Sequence, residues 1–392
     1  MPVRLQTFLD YGFRPFFLLN GIFAVLVVLM WTLLLHGEWP SGPASFALWH
    51  AHEMLVGFAM ATVAGFLLTA IPNWTGRPRL EGQLLGWLVL AWLCGRAAMA
   101  ASGVLPAWFV APVDLAFPLL LFLFVLQEIV SAGNRRNYPI IAITAMLLLL
   151  NLLYHLGAAG RLPGTDRTAI YLMTHTILLL ITVIGGRVIP NFTANWMRNH
   201  NVARVPTNNV TVDRLTILAT VLVGLAASLA QYGPVTGLLA VPAAVLHGVR
   251  LGAWRGLATR AEPLLLVLHI AYAWLPIGYA LMACAAFGWV FPATAALHAL
   301  TVGAIGTMIL AMMTRVPLGH TGRPLRASRL TAVAYVVLTF AVVIRVLGPI
   351  AGPAYPRMID ASAAAWVLAF AIFIFQYWPI LTRPRVSRES AQ

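Results

Sequence analysis

Residues 48–71 read Leu48-Trp49-His50-Ala51-His52-Glu53-Met54-Leu55-Val56-Gly57-Phe58-Ala59-Met60-Ala61-Thr62-Val63-Ala64-Gly65-Phe66-Leu67-Leu68-Thr69-Ala70-Ile71. After Glu53 no charge interrupts the run, and its length suffices for a helix to cross a hydrocarbon core of roughly 30 Å. Eleven further segments of like character fall at about 16–35, 83–102, 106–131, 138–158, 168–189, 214–232, 234–252, 262–286, 292–315, 328–349 and 358–381. With 61% hydrophobic and 9% charged residues and a mean hydropathy of +0.86, the chain has no means of covering itself with a water-soluble surface. Irregular backbone is not tolerated against lipid, so the expected fold class is an all-α polytopic membrane protein with twelve transmembrane helices. The first segment follows a polar start without a small-residue cleavage site, and so reads as an anchor.

Outward from that stretch, the chain echoes itself. His52, His175 and His298 stand 123 residues apart, each near the start of an apolar segment, and Pro15, Pro139 and Pro263 stand 124 apart. Ile71-Pro72-Asn73-Trp74-Thr75 recurs as Ile189-Pro190-Asn191-Phe192-Thr193, and Thr75-Gly76-Arg77-Pro78 recurs as Thr321-Gly322-Arg323-Pro324. Three kinds of marker on one period predict three four-helix repeats, approximately 12–135, 136–260 and 261–392, within a single transmembrane domain.

The net charge of +14 belongs to topology and not to nucleic acid; all 25 basic residues are arginine. Arg161, Arg167 and Arg357 lie in the loops after odd-numbered helices, and Arg96, Arg187 and Arg345 lie within helices. Every other arginine falls at a terminus or in a loop after an even-numbered helix, up to the loop's membrane edges. The positive-inside rule then puts both termini in the cytoplasm. Helices two, six and ten run from outside to inside, so His52, His175 and His298 lie within about 10 Å of the outer edge. His155 approaches the same level, His269 sits in the inner half, and His50 points away from His52 on a regular helix.

A histidine in a membrane helix either bonds to a neighbouring helix or ligates a metal or haem. Several at one depth favour ligation for His52 and His298, with His175, His155, His50 and His269 as further metal candidates. Arg96 and Arg345 need anionic partners: Asp114 for Arg96, or the propionates of a haem, which a guanidinium fork matches. Glu53 either orients the His52 ring or reaches solvent as a helix-start charge. Other signals carry nothing. Val56 stands where a zincin motif needs its second histidine, Cys94 and Cys284 are isolated, and no CxxCH is present, so a haem would be bound non-covalently.

Phe13-Arg14-Pro15-Phe16-Phe17, Trp49-His50-Ala51-His52-Glu53-Met54, Ile71 to Pro78, Gly185-Gly186-Arg187-Val188-Ile189-Pro190, Leu268-His269-Ile270-Ala271-Tyr272-Ala273-Trp274 and His298-Ala299-Leu300-Thr301-Val302-Gly303 resemble the NnrS family. The resemblance covers nearly the whole chain. It implies a bacterial inner-membrane protein carrying haem b and copper, linked to nitric oxide metabolism, denitrification and nitrosative stress. The family's histidine motifs map onto His50, His52, His175, His269, His298 and His320. A looser resemblance links the plan to the catalytic subunit of haem–copper oxidases, with histidines on helices two, six and ten. Here the tenth helix has one histidine where that pattern has two, and the seventh has none.

The resulting expectation is a haem ligated by His52 and His298, with copper on His175 together with His155 or His50. The protein then binds or turns over nitric oxide near the periplasmic face, with an electron-donor protein as a partner. An enzymatic nitric oxide oxidoreductase, a secondary transporter, and a haem- or copper-delivery or sensor protein stay open as alternatives. A six-plus-six transporter would make helix two resemble helix eight; here helix two resembles six and ten.

Overall fold

The computed structural model describes residues 3–39, 45–202 and 205–386. Among the described residues, twelve helices are long and apolar enough to cross a membrane. They are α1 (Phe13–Leu35), α2 (Phe46–Thr75), α3 (Gly82–Ala100), α4 (Ala107–Ser131), α5 (Arg135–Ala158), α6 (Thr165–Asn199), α7 (Val210–Ala230), α8 (Pro234–Ala253), α9 (Pro263–Ala286), α10 (Ala293–His320), α11 (Arg329–Ile350) and α12 (Gly352–Thr382). No strand occurs among the described residues. Leu84, Trp108 and Leu229 are more than two-thirds exposed. Such side chains would be a liability in water and are at home against lipid.

Local chemistry sets the helix ends. Asn209 Oδ1 accepts from the amides of Thr211 (2.9 Å) and Val212 (3.2 Å) at the start of α7. Ser328 Oγ accepts from the Thr331 amide at 3.0 Å before α11, and Glu262 from the Leu264 amide at 3.1 Å before α9. Gly76 ends α2 at φ 69°, a left-handed conformation that glycine adopts without strain. Beyond it Arg77 forks onto Glu128 at the end of α4, at 2.6 and 3.3 Å, which anchors the repeated Thr-Gly-Arg-Pro motif at this copy.

Two expectations are corrected at the ends of α6 and α10. α6 continues through Pro190 to Asn199, so the connector expected from residue 190 begins only at His200. α10 likewise continues through Pro317 to His320. Each proline removes one ladder hydrogen bond without ending its helix, and Thr321 Oγ donates to the carbonyl of Pro317 at 2.7 Å.

The finding that shapes the site is a change of winding. α2 turns into a π-helix over Glu53–Ala59, directly after His52, and α10 does so over Ala299–Gly306, directly after His298. Both contain His-x-x-x-Val-Gly: His52 with Val56-Gly57, and His298 with Val302-Gly303. The glycines accept large neighbours at close range. A Cβ on Gly57 would meet the Phe23 ring at 2.5 Å, and one on Gly303 the Trp274 ring at 2.7 Å. The Trp92 indole donates to the carbonyl of Gly57 at 3.0 Å. π segments of this kind recur at functional sites. Around His175, by contrast, α6 is an uninterrupted α-helix.

The chain divides into two compact units, each discontinuous in sequence. Unit 1 comprises residues 1–173, 312–324 and 370–392; unit 2 comprises 174–311 and 325–369.

Candidate functional site

Unit 1 buries five ionisable side chains together. α2 supplies His52 and Glu53, α3 supplies Arg96, α4 supplies Asp114 and α5 supplies His155, all under 9% exposed. Asn151 and His155 are four residues apart and therefore share one face of α5. The wider π turn after His52 lets the adjacent Glu53 reach back to it, with Nδ1 of His52 2.9 Å from Oε1. Nε2 of His52 lies 2.8 Å from Asn151 Oδ1 and 3.3 Å from Asp114 Oδ2. That carboxylate oxygen also accepts from Asn151 Nδ2 at 2.8 Å and from His155 Nε2 at 2.9 Å. Arg96 bridges the two acids, donating from Nη1 to Glu53 and from Nη2 to Asp114. Tyr154 stacks on the His52 ring at 4.4 Å.

The electrostatics follow from counting charges. Two carboxylates face one guanidinium, so neutral imidazoles would leave one buried negative charge, which a low-dielectric interior penalises heavily. One further positive charge balances the set. A proton is one means: both nitrogens of His52 face acceptors, and the hydrogen bonding is complete when each carries a hydrogen. A metal cation is the other. Donor atoms of His52, Asp114 and His155 all lie within 4.8 Å of one another, and two imidazoles with a carboxylate form a donor set for a transition metal.

Two cavities lead to this cluster. One of about 340 Å³ is lined by Tyr154, His155, Asp166, Trp49 and Met99. The other, of about 240 Å³, is walled by apolar side chains including Ile22, Phe23 and Met30, and has Glu53 and Arg96 among its lining residues. The first is suited to water and protons, the second to a small apolar molecule.

The remaining site candidates occupy other surroundings. His50 stacks on Trp31 at 4.2 Å. In unit 2, Nδ1 of His298 donates to the Thr294 carbonyl at 2.7 Å. Arg345 donates to the Tyr355 hydroxyl at 3.1 Å. His175 is buried against Gly224, its ring stacked near that of Tyr279 at 6.4 Å. His269 pairs through Nε2 with the Thr193 hydroxyl at 2.9 Å.

Sequence reasoning missed Asn151 and Tyr154, and a second polar network in unit 2. There Arg250 donates to Asp213 (2.6 Å), to the Thr182 carbonyl (2.8 Å) and to the Tyr272 hydroxyl (3.1 Å). His247 links Tyr272 (2.8 Å) to Thr220 (3.0 Å). The glycine pair Gly185-Gly186 hinted at it: a Cβ on Gly186 would fall 1.8 Å from Arg250 Nη2.

One comparison decides the kinship: a family model, described as NnrS protein, matches residues 7–385. The chain belongs to the NnrS family. Among curated proteins, none matches it. Within this NnrS chain the quoted motifs now have places: Trp49 to Met54 supplies His52 and Glu53 of the cluster and the start of the first π segment, and His298 to Gly303 carries most of the second. Leu268 to Trp274 contributes Tyr272 to the Arg250 network.

Proposed function

We propose that this NnrS protein is a haem–copper membrane protein of the nitric oxide response, and that His52, Asp114 and His155 hold its copper. The observation that carries the reading is the buried cluster, whose two carboxylates and one arginine call for one more positive charge. His52, expected to share a haem with His298, has both ring nitrogens engaged and Tyr154 against its face. A small cation would replace the hydrogen at His52 Nε2, beside the donor atoms of Asp114 and His155. His298 would hold haem b through Nε2, its ring fixed by the hydrogen bond from Nδ1–H to the Thr294 carbonyl.

Copper in the cluster would supply one-electron chemistry, and haem b on His298 a position for a diatomic gas. The chain's own residues do the rest. Arg96 fixes both carboxylates, Glu53 orients the His52 ring, and Asp114 orients His155 at the edge of the 340 Å³ cavity. In the metal-free cluster a proton entering there would reach Asp114 Oδ2 and then His52 Nε2 through contacts of 2.9 and 3.3 Å. The apolar cavity beside Glu53 suits nitric oxide, which partitions into lipid. The reading includes three four-helix repeats, both termini in the cytoplasm, a bacterial inner-membrane location and an electron-donor partner.

The test is the absorption spectrum of the detergent-purified protein when oxidised, reduced, and reduced with nitric oxide. A Soret band that moves with the gas is expected. No haem band, with none appearing on added haem, contradicts the reading. The same balanced cluster supports one second reading, proton-coupled transport, since buried His–Asp pairs serve as proton relays. Metal-free protein that moves protons across liposomes would favour it.

A further inference from the structure

We propose that unit 2 carries a binding site for a quinone-class lipid, a flat ring with two oxygen atoms and an apolar tail, between the end of α8 and the start of α9. The inference is independent of the copper and haem assignments.

A cavity of about 570 Å³ opens there, lined mainly by apolar groups together with Gly248, Gly252, Gly256, Arg255 and His269. Gly248 and Gly252 are four apart on one face of α8, and a Cβ on either would meet nothing within 4 Å. Helix packing therefore does not require them, although a mid-helix glycine is less favourable than alanine. They leave a flat backbone floor. Gly256 has the opposite role: a Cβ there would strike the His269 ring at 2.4 Å, so glycine admits that ring to the cavity wall.

The polar groups are sparse and unsatisfied. His269 is 5% exposed; its Nε2 is on Thr193, and its Nδ1 is buried with no hydrogen-bond partner among the described residues. Behind the lining, the indole nitrogen of Trp254, whose ring centre is 6.4 Å from that of His269, is likewise buried and without a hydrogen-bond partner among the described residues. An orphaned buried nitrogen is destabilising, and a ligand oxygen would satisfy it. Arg255, in the left-handed region at φ 57°, lines the same cavity with an exposed side chain. That conformation is strained for a residue with a Cβ.

These features match a quinone. Imidazole donates to a ring carbonyl in the oxidised form and accepts from a ring hydroxyl in the reduced form. The guanidinium attracts the oxygen at the ring's other end, the glycine floor admits a flat ring, and the apolar lining takes the tail. A phospholipid phosphate would accept from the arginine and the imidazole alike, but it has no flat ring to lie on the glycine floor.

The test is calorimetric titration of the full-length, detergent-purified protein with decylubiquinone. Wild type should bind saturably at one site. A Cβ at position 252 meets nothing within 4 Å and Gly252 lines the cavity, so the thermal melting of Gly252→Leu should match wild type while its affinity falls by about tenfold or more. His269→Asn should weaken binding as well. Absence of saturable binding, or equal affinity in wild type and Gly252→Leu, overturns the proposal. So does complete displacement by phosphatidylglycerol with no effect of His269→Asn, which would mark a headgroup site.

Discussion

His155 Nε2 lies 2.9 Å from Asp114 Oδ2, so a histidine from α5 and a carboxylate from α4 meet on one oxygen inside the helix bundle of unit 1. His52 approaches the same oxygen, and Arg96 takes the other. A single carboxylate thus organises two imidazoles and one guanidinium, and the consequences of disturbing it can be stated.

Removing the countercharge should be severe. Arg96→Gln leaves Glu53 and Asp114 buried without their cation, and loss of one partner of a buried pair costs about 3–5 kcal/mol. Thermal unfolding in detergent should show a large drop. In the double variant with Asp114→Asn the drop should be smaller than the sum of the two single effects, because the residues touch. Additive losses would mean that the pair is not coupled.

The π segments should reject side chains that the floor of α8 accepts. Gly57→Ala drives a Cβ into Phe23 and to within 3.1 Å of Arg96 Nη1; overpacking of this kind costs about 1–3 kcal/mol. Gly248→Ala, with open space in front of it, should melt at or above the wild-type temperature. Equal behaviour of the two variants would contradict the close approach at Gly57.

The seat of Arg250 yields a third expectation. Gly186→Ala and Arg250→Met should each destabilise the protein, the first by collision and the second by leaving Asp213 unpaired. Combined, they should cost less than the two separately, since the shorter-headed side chain relieves the collision. Melting curves of the three variants decide it.

Much of this was legible in the sequence. All twelve spans could be read because long apolar runs admit no other structure in lipid. The Arg96–Asp114 contact was one of two readings offered, because lone opposite charges on adjacent apolar helices have few other partners. The π segments were not legible, since helical periodicity assumes constant winding, although His-x-x-x-Val-Gly marks both copies. Asn151 escaped because an uncharged amide in an apolar helix carries little signal. Its position four residues before His155 was the available clue. The Arg250 network escaped because an arginine near a helix end reads as a membrane-edge charge, and only the structure shows it turned inward onto Asp213 and Tyr272.

Copper content per chain, measured by elemental analysis of protein loaded with copper and washed free of excess metal, is the most direct test of the His52–Asp114–His155 centre. The account predicts copper bound in wild type and lost in His155→Ala, with His50→Ala retaining it. Equal copper in wild type and His155→Ala, or loss in His50→Ala alone, would contradict the assignment.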